Sequence, residues 1–374
     1  MAIQAGLVGL PNVGKSTLFN ALTKSSIPAE NYPFCTIDPH VAITEVPDQN
    51  LDELAKTFKS GKKIPAVVRF VDIAGLVEGA SKGEGLGNQF LSHIQEVDLV
   101  LHVLRCFEDS DITHVHQDIS PIDDFETICA ELMLKDLESV EKREEKLEHQ
   151  LKKNKNASTN EIKEWKKEQE LILKLKETLD KETQEEVRKL ILQAKEEDVH
   201  TIPLLSAKNF LIIANLSEED FAEKNYQNNQ RFKKLIEKFG EEKVIPVSAK
   251  IESEIAQLDE EEAVEMMESL EIKERGLDNI IKKSYSELGC ITFFTCGPKE
   301  AHAWSISKNT KIPQAAGTIH SDMERGFICA EVYNCKDIFE HKSEAALKSI
   351  GKIKTEGRDY IVQDGDVVLI RFNV

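Results

Sequence analysis

The sequence predicts an α/β fold: a mostly parallel sheet, a helical hairpin inserted into it, and a small α+β module after it. Three observations carry this expectation. Short apolar runs at residues 3–8, 67–73, 99–104, 211–214 and 244–247 alternate with helical patterns. A parallel sheet covered on both faces reads this way. Residues 131–200 are dense in Glu and Lys and lack Gly, and from about Cys290 the pattern turns β-rich.

In chain order, residues 3–8 form a short buried strand, Gly9 to Gly14 a loop, and Lys15 to Lys24 a helix. The four later apolar runs extend the sheet. Between them, Met133, Leu137, Val140, Leu147 and Leu151 follow heptad-like spacing; Asn154 to Asn160 interrupts it; Ile162, Trp165, Gln169, Ile172, Leu175 and Leu179 resume it. That is an antiparallel helical hairpin, either a spacer or a docking arm. At the end, residues 291–295, 303–306, 327–332, 360–362 and 367–372 read as strands, with Asp364-Gly365 as a hairpin turn between the last two. The expected division is 1–130 with 201–280, an arm over 131–200, and a module over 288–372.

Composition narrows the function. With 374 residues and 40% hydrophobic content, the chain exceeds one ordinary core and can bury more than one. No run approaches the roughly 18 apolar residues of a membrane span. The N-terminus enters a strand pattern at once, so no signal peptide is expected. Seven scattered cysteines without Cys-x-x-Cys suggest reduced thiols and a cytoplasmic location. The net charge of −19 excludes a broad basic surface that coats nucleic acid. Residues 288–374 carry 11 acidic and 11 basic side chains, so the whole deficit lies before them. The acidic run over residues 252–274 reads as a solvated helix face.

Gly9-Leu-Pro-Asn-Val-Gly-Lys-Ser16 satisfies the pattern of a phosphate-binding loop between a strand and a helix. Its glycines let backbone N–H groups turn around an anion, and the helix adds its positive end. Lys15 should reach the β- and γ-phosphates, and Ser16 should ligate Mg²⁺. Asp72-Ile-Ala-Gly75 ends a strand where a carboxylate can hold Mg²⁺ through water and the Gly75 amide can meet the γ-phosphate. Thr36, in a loop after the first helix, suits a hydroxyl that ligates Mg²⁺ only when the γ-phosphate is present. Gly75-Leu-Val-Glu-Gly-Ala-Ser-Lys-Gly-Glu-Gly-Leu-Gly87 then reads as a segment that moves or approaches something closely.

With these motifs in order, the chain resembles the Obg-like ATPase (YchF) family. The match lies in residues 9–17, in Asn31-Tyr-Pro-Phe-Cys-Thr-Ile-Asp38, in Val71-Asp-Ile-Ala-Gly-Leu-Val77 and in Gly79-Ala-Ser-Lys-Gly-Glu-Gly-Leu-Gly-Asn88. Pro313-Gln-Ala-Ala-Gly-Thr-Ile-His320 and Asp359-Tyr-Ile-Val-Gln-Asp-Gly-Asp-Val367 extend it over essentially the whole chain. The resemblance implies a P-loop G domain, an inserted helical arm, a C-terminal TGS module, adenine preference and ribosome association.

Guanine-reading G domains use Asn-Lys-x-Asp after a buried strand. Here the strand at 211–214 leads into Asn215-Leu-Ser-Glu218, so Leu replaces Lys and Glu replaces Asp. The longer Glu218 displaces the guanine acceptor, and a misplaced hydrogen-bond partner discriminates strongly. Asn215 and the Leu216 backbone are expected to meet adenine, with Ser248-Ala-Lys250 as the last base-side loop. The alternative is an ordinary helix N-cap by Asn or Ser, and the stretch can be both.

Many switch hydrolases place a glutamine after Asp-x-x-Gly to orient water; here Leu76 stands there. The resemblance points to His114 instead, ahead of His116 and His102; a packed loop histidine is the competing reading. Asn12 resembles the asparagine that helps hold K⁺ in some related hydrolases. The nucleotide-binding set is therefore Asn12, Val13, Gly14, Lys15, Ser16, Thr17, Gly75, Asn215, Leu216, Glu218 and Ser248. The Mg²⁺ set is Ser16, Thr36 and Asp72, and the catalytic set is Lys15 and His114.

The expected function is an ATP-hydrolysing switch on the ribosome, with RNA contact through the C-terminal module and the arm, no membrane partner, and a monomeric chain. The alternatives are a GTP-hydrolysing switch and an ATP-gated protein scaffold. A metabolic phosphotransferase lacks a second substrate-like constellation.

Overall fold

The computed structural model describes residues 3–26, 40–73, 86–109, 119–153, 158–181 and 184–373. Its strands are β1 (Ile3–Val8), β2 (Val41–Glu45), β3 (Lys62–Ile64), β4 (Val67–Asp72), β5 (Leu99–Arg105), β6 (Asn209–Asn215), β7 (Val244–Val247), β8 (Cys290–Cys296), β9 (Glu300–Ser307), β10 (Phe327–Asn334), β11 (Lys354–Glu356) and β12 (Asp366–Phe372). The helices that matter below are α1 (Lys15–Lys24), α2 (Gln49–Phe58), α3 (Leu86–Glu96), α4 (Pro121–Lys153), α5 (Thr159–Asp180), α6 (Gln184–Glu196), α7 (Glu218–Phe221), α8 (Gln230–Phe239) and α9 (Ala249–Ile255). The chain divides into two compact units. One comprises Met1–Gln4, Leu22–Phe70 and Glu274–Val374, the other Ala5–Ala21 and Val71–Lys273.

In the second unit, β1, β5, β6 and β7 lie side by side and run parallel. Every residue of β5 is buried, as both faces of such a sheet are covered and its strands become continuous apolar runs. The Ile73 N–H donates to the Leu7 carbonyl at 3.2 Å, which sets the end of β4 beside β1. Cys106, Phe125, Ile212, Phe232, Leu235 and Val244 pack one face under α4 and α8.

The predicted hairpin is present, and it is longer than the heptads suggest. α4 starts at Pro121 and runs through residue 131 without a break. Ser158 caps α5 in a capping box with Glu161, which satisfies two free amide donors reciprocally. Met133, Val140, Leu147, Ile172, Leu175 and Leu179 meet between α4 and α5, as their spacing predicts; Leu171 joins them, whereas Ile162 is exposed near the start of α5. α6 adds Val187 and Ile191 to the same core, a third helix the periodicity did not reveal. Two buried carboxylates fix this region. Glu168 takes a bidentate pair from Arg143 at 2.6 and 2.9 Å. Asp136, 1% exposed, accepts from the Leu205 and Ser206 amides and the Ser206 hydroxyl at 2.6–2.8 Å. Burial still pushes the Asp136 carboxyl above its usual range.

In the first unit, β2 neighbours β4, and a second sheet has the order β11-β10-β12-β8-β9-β3. Ile291, Phe293, Ile306, Ile312, Val332 and Val368 form its core. The residues 360–362 expected as a strand make only an isolated bridge, Lys311 to Ile361. Asp364-Gly365 therefore closes no hairpin, although Gly365 does turn with φ +84°. The reason lies in the polar groups. Tyr360 Oη and the Gln363 N–H donate to the Asp366 carboxylate, and the Thr292 N–H donates to Asp364. The segment folds onto its own carboxylates, leaving β12 to pair with β10 and β8. β3, from residues 62–64, completes this sheet by pairing with β9.

Candidate functional site

The turn from β1 to α1 needs unusual backbone at two positions: Asn12 has φ +63° and Gly14 φ +94°. Asparagine tolerates the left-handed region, and glycine enters it without a steric cost. Gly14 faces a second constraint. A Cβ there would lie 2.1 Å from Asn215 Nδ2. Val13 is buried and anchors the loop, whereas Asn12, Ser16 and Thr17 are exposed at its rim. The Leu18 N–H reaches the Gly14 carbonyl at 3.0 Å, so the helix begins directly behind the loop. The first amides of α1 lack intrahelical partners, as in every helix. They lie beside Lys15, a residue only 8% exposed.

Lys15 Nζ contacts the Asp72 carboxylate at the end of β4. Lys15 of the loop motif and Asp72, the first residue of the second motif, thus lie together. Thr36, Gly75, Leu76, His114 and His116 lie outside the described residues. His102 belongs to β5 and is 1% exposed. Its ring lies 4.7 Å from that of Phe125 and 5.8 Å from that of Phe210. Nδ1 has no hydrogen-bond partner among the described residues, and burial lowers the pKa to about 3. His102 is therefore a neutral core side chain, in keeping with its low rank as a water-orienting group.

This burial has a measurable consequence. Below pH 6.5 the unfolded chain binds a proton at His102 that the folded chain refuses, so stability falls as pH drops from 6.5 toward 3. At pH 5 this amounts to about 2 kcal/mol. His102→Phe should flatten the acid limb of urea unfolding by about that amount; an unchanged limb would remove His102 as its source.

On the base side, Asn215 is 4% exposed and bridges two loops. Its Nδ2 donates to the Val13 carbonyl at 2.8 Å, and its Oδ1 accepts from the Ala249 N–H at 2.9 Å. The Leu216 N–H is engaged by the Val247 carbonyl at 2.8 Å. The expected base contact from the Leu216 backbone can therefore come only from its carbonyl. Ser217, whose Oγ accepts from the Asp220 N–H, is the N-cap of α7, so this stretch does cap a helix. Glu218 follows at the first turn, and its carboxylate pairs with Lys250. Ser248 is fully buried, its Oγ without a partner among the described residues.

Two features escaped sequence reasoning. Asn215 is a clamp joining the phosphate loop, 202 positions away, to the start of α9. Lys250 is the counter-charge of Glu218. The signal for the first was Gly14, whose lack of a side chain makes room for Asn215.

Among the described residues, no group of three His, Cys, Asp or Glu could hold a metal ion, and no helix is long and apolar enough to cross a membrane. Six cysteines there are free thiols.

Comparisons with known proteins agree with this geometry. Residues 4–131 match a family model described as 50S ribosome-binding GTPase, and residues 290–373 match the YchF-GTPase C-terminal model, described as a protein of unknown function. The chain is 48% identical to the ribosome-binding ATPase YchF of Bacillus subtilis, covering 100% of both chains. It is 44% identical to Obg-like ATPase 1 of Oryza sativa subsp. japonica, covering 100% of this chain and 92% of the relative. A solved structure of the Schizosaccharomyces pombe YchF GTPase superposes with a TM-score of 0.83 at 39% identity, covering 99% and 97% of the two chains. The curated relatives carry the name ATPase and the solved structure the name GTPase.

Proposed function

The chain belongs to the YchF family of Obg-like ATPases, and from that premise we propose that it binds and hydrolyses Mg²⁺-ATP as a ribosome-associated switch in the cytoplasm. The observation that carries the reading is the buried Lys15 ammonium, seated at the start of α1 beside Asp72. Nucleotide binding is assigned to 1–130 with 201–280, the arm to 131–200 and the TGS module to 288–372, a division of the sequence that cuts across the compact units, since residues 22–70 group with 274–374 and α4 crosses the 130/131 border unbroken. The relatives named ribosome-binding support the ribosomal partner. RNA contact is assigned to the arm and the neutral C-terminal module.

In this reading the triphosphate enters the loop of residues 9–16, and Lys15 turns from Asp72 to phosphate oxygens. The amides at the start of α1 take the remaining charge. The exposed Ser16 hydroxyl and the freed Asp72 carboxylate are hard oxygen donors suited to Mg²⁺, with Thr36 completing the set. When bound, the ion neutralises charge on the phosphates. Gly75 meets the γ-phosphate, and His114 orients the attacking water that Leu76 cannot hold. Asn12 contributes to a K⁺ position at the loop rim.

Adenine is favoured over guanine because the carboxylate three positions after Asn215 is the longer Glu218, and it is engaged by Lys250. Calorimetric titration with Mg²⁺ and non-hydrolysable ATP or GTP analogues tests this. The native chain should prefer the ATP analogue, and Glu218→Asp should gain guanine affinity. Equal turnover in K⁺ and Na⁺ would remove the K⁺ assignment, and a strong native preference for GTP would overturn the adenine reading.

A further inference from the structure

This inference deepens the adenine reading above and rests on it. Two loops form the base side of the site: the stretch after β6, which reaches Glu218, and the loop after β7, which reaches Lys250. Asn215 Oδ1 joins them through the Ala249 N–H at 2.9 Å, so both are referenced to the clamp that shapes the phosphate loop. Across that junction Lys250 Nζ contacts the Glu218 carboxylate, with the two side chains 67% and 41% exposed.

A carboxylate at this position selects guanine only if it is charged, unengaged and turned to the base, where it accepts from N1–H and the N2 amine. Adenine offers an acceptor at N1 and no N2 amine. A free carboxylate would therefore repel adenine while it recruits guanine. We propose that Lys250 is a positioning residue that sets base preference by holding the Glu218 carboxylate away from the guanine-accepting position.

The neighbourhood is consistent with a persistent pair. The bond to Glu218, with Glu254 and Asp109 also facing the ammonium, holds the Lys250 pKa above its usual value. No other described cation is recorded in contact with the Glu218 carboxylate. The pair is solvent-exposed, so its leverage is modest.

The test is titration of the full chain with Mg²⁺ and non-hydrolysable ATP and GTP analogues. Lys250→Met keeps the apolar stem and removes the charge. It should lower the ratio of GTP to ATP dissociation constants about two- to five-fold. Lys250→Arg should restore the native ratio. In a Glu218→Gln background, Lys250→Met should leave the ratio where Glu218→Gln alone puts it. Equal weakening of both nucleotides by Lys250→Met, or a ratio shift that survives in the Gln background, would overturn the proposal and leave Lys250 as simple packing. A native chain without ATP preference would overturn the adenine reading and this inference with it. A native preference that Lys250→Met does not change would overturn this inference alone.

Discussion

Replacing Lys15 with alanine is expected to weaken ATP capture by about 100-fold or more while leaving the fold intact. Charge-assisted hydrogen bonds contribute about 1.5–3 kcal/mol each, and an ammonium at this place can serve two phosphates. Lys15→Arg should recover little, since the larger planar group cannot replace a compact ammonium whose side chain is only 10% exposed. Equilibrium binding of labelled ATP, with circular dichroism to confirm folding, reads the effect. Native-like capture by Lys15→Ala would show that the phosphate tail binds elsewhere.

Gly14→Ala should be comparably damaging by a different route. The new Cβ would stand 2.1 Å from Asn215 Nδ2, and φ is +94°. Asn215 would have to withdraw, giving up buried hydrogen bonds to the Val13 carbonyl and the Ala249 N–H. Each buried group left unpaired costs about 1–3 kcal/mol, and the backbone conformation adds about 1–2 kcal/mol. ATP binding should be lost, and thermal unfolding should shift down by several degrees. Gly289→Ala supplies the control: φ is +64°, and nothing lies within 4 Å of its Cβ position. It should show only the backbone cost and keep native ATP binding. If the two variants behave alike, backbone strain rather than the Asn215 clamp governs the loop.

The phosphate loop was legible in the sequence because its chemistry is local. Two glycines, one lysine and one serine at fixed spacing sit between a strand and a helix, and no distant residue is needed to recognise them. The parallel strands were legible because burial on both faces writes an unbroken apolar run. The arm was legible where α4 and α5 face each other every three to four residues. What failed to show depends on long-range partners. β3 is three residues, Lys62-Lys-Ile64, with no apolar run of its own; it becomes a strand only against β9. The Tyr360-Ile-Val362 run has strand-like composition, yet nearby hydrogen bonds to Asp364 and Asp366 hold this stretch out of the sheet. Asn215 was singled out in the sequence, but its clamping bonds reach residues 202 and 34 positions away. No local pattern encodes such distances. The same holds for Glu218 and Lys250, 32 positions apart.

The decisive measurement is a structure of the chain with Mg²⁺ and a non-hydrolysable ATP analogue. The triphosphate should lie within residues 9–16, with Lys15 Nζ on phosphate oxygens and the Asp72 carboxylate released from it. A triphosphate bound elsewhere, or Lys15 still paired with Asp72 beside a bound nucleotide, would contradict the proposed phosphate site.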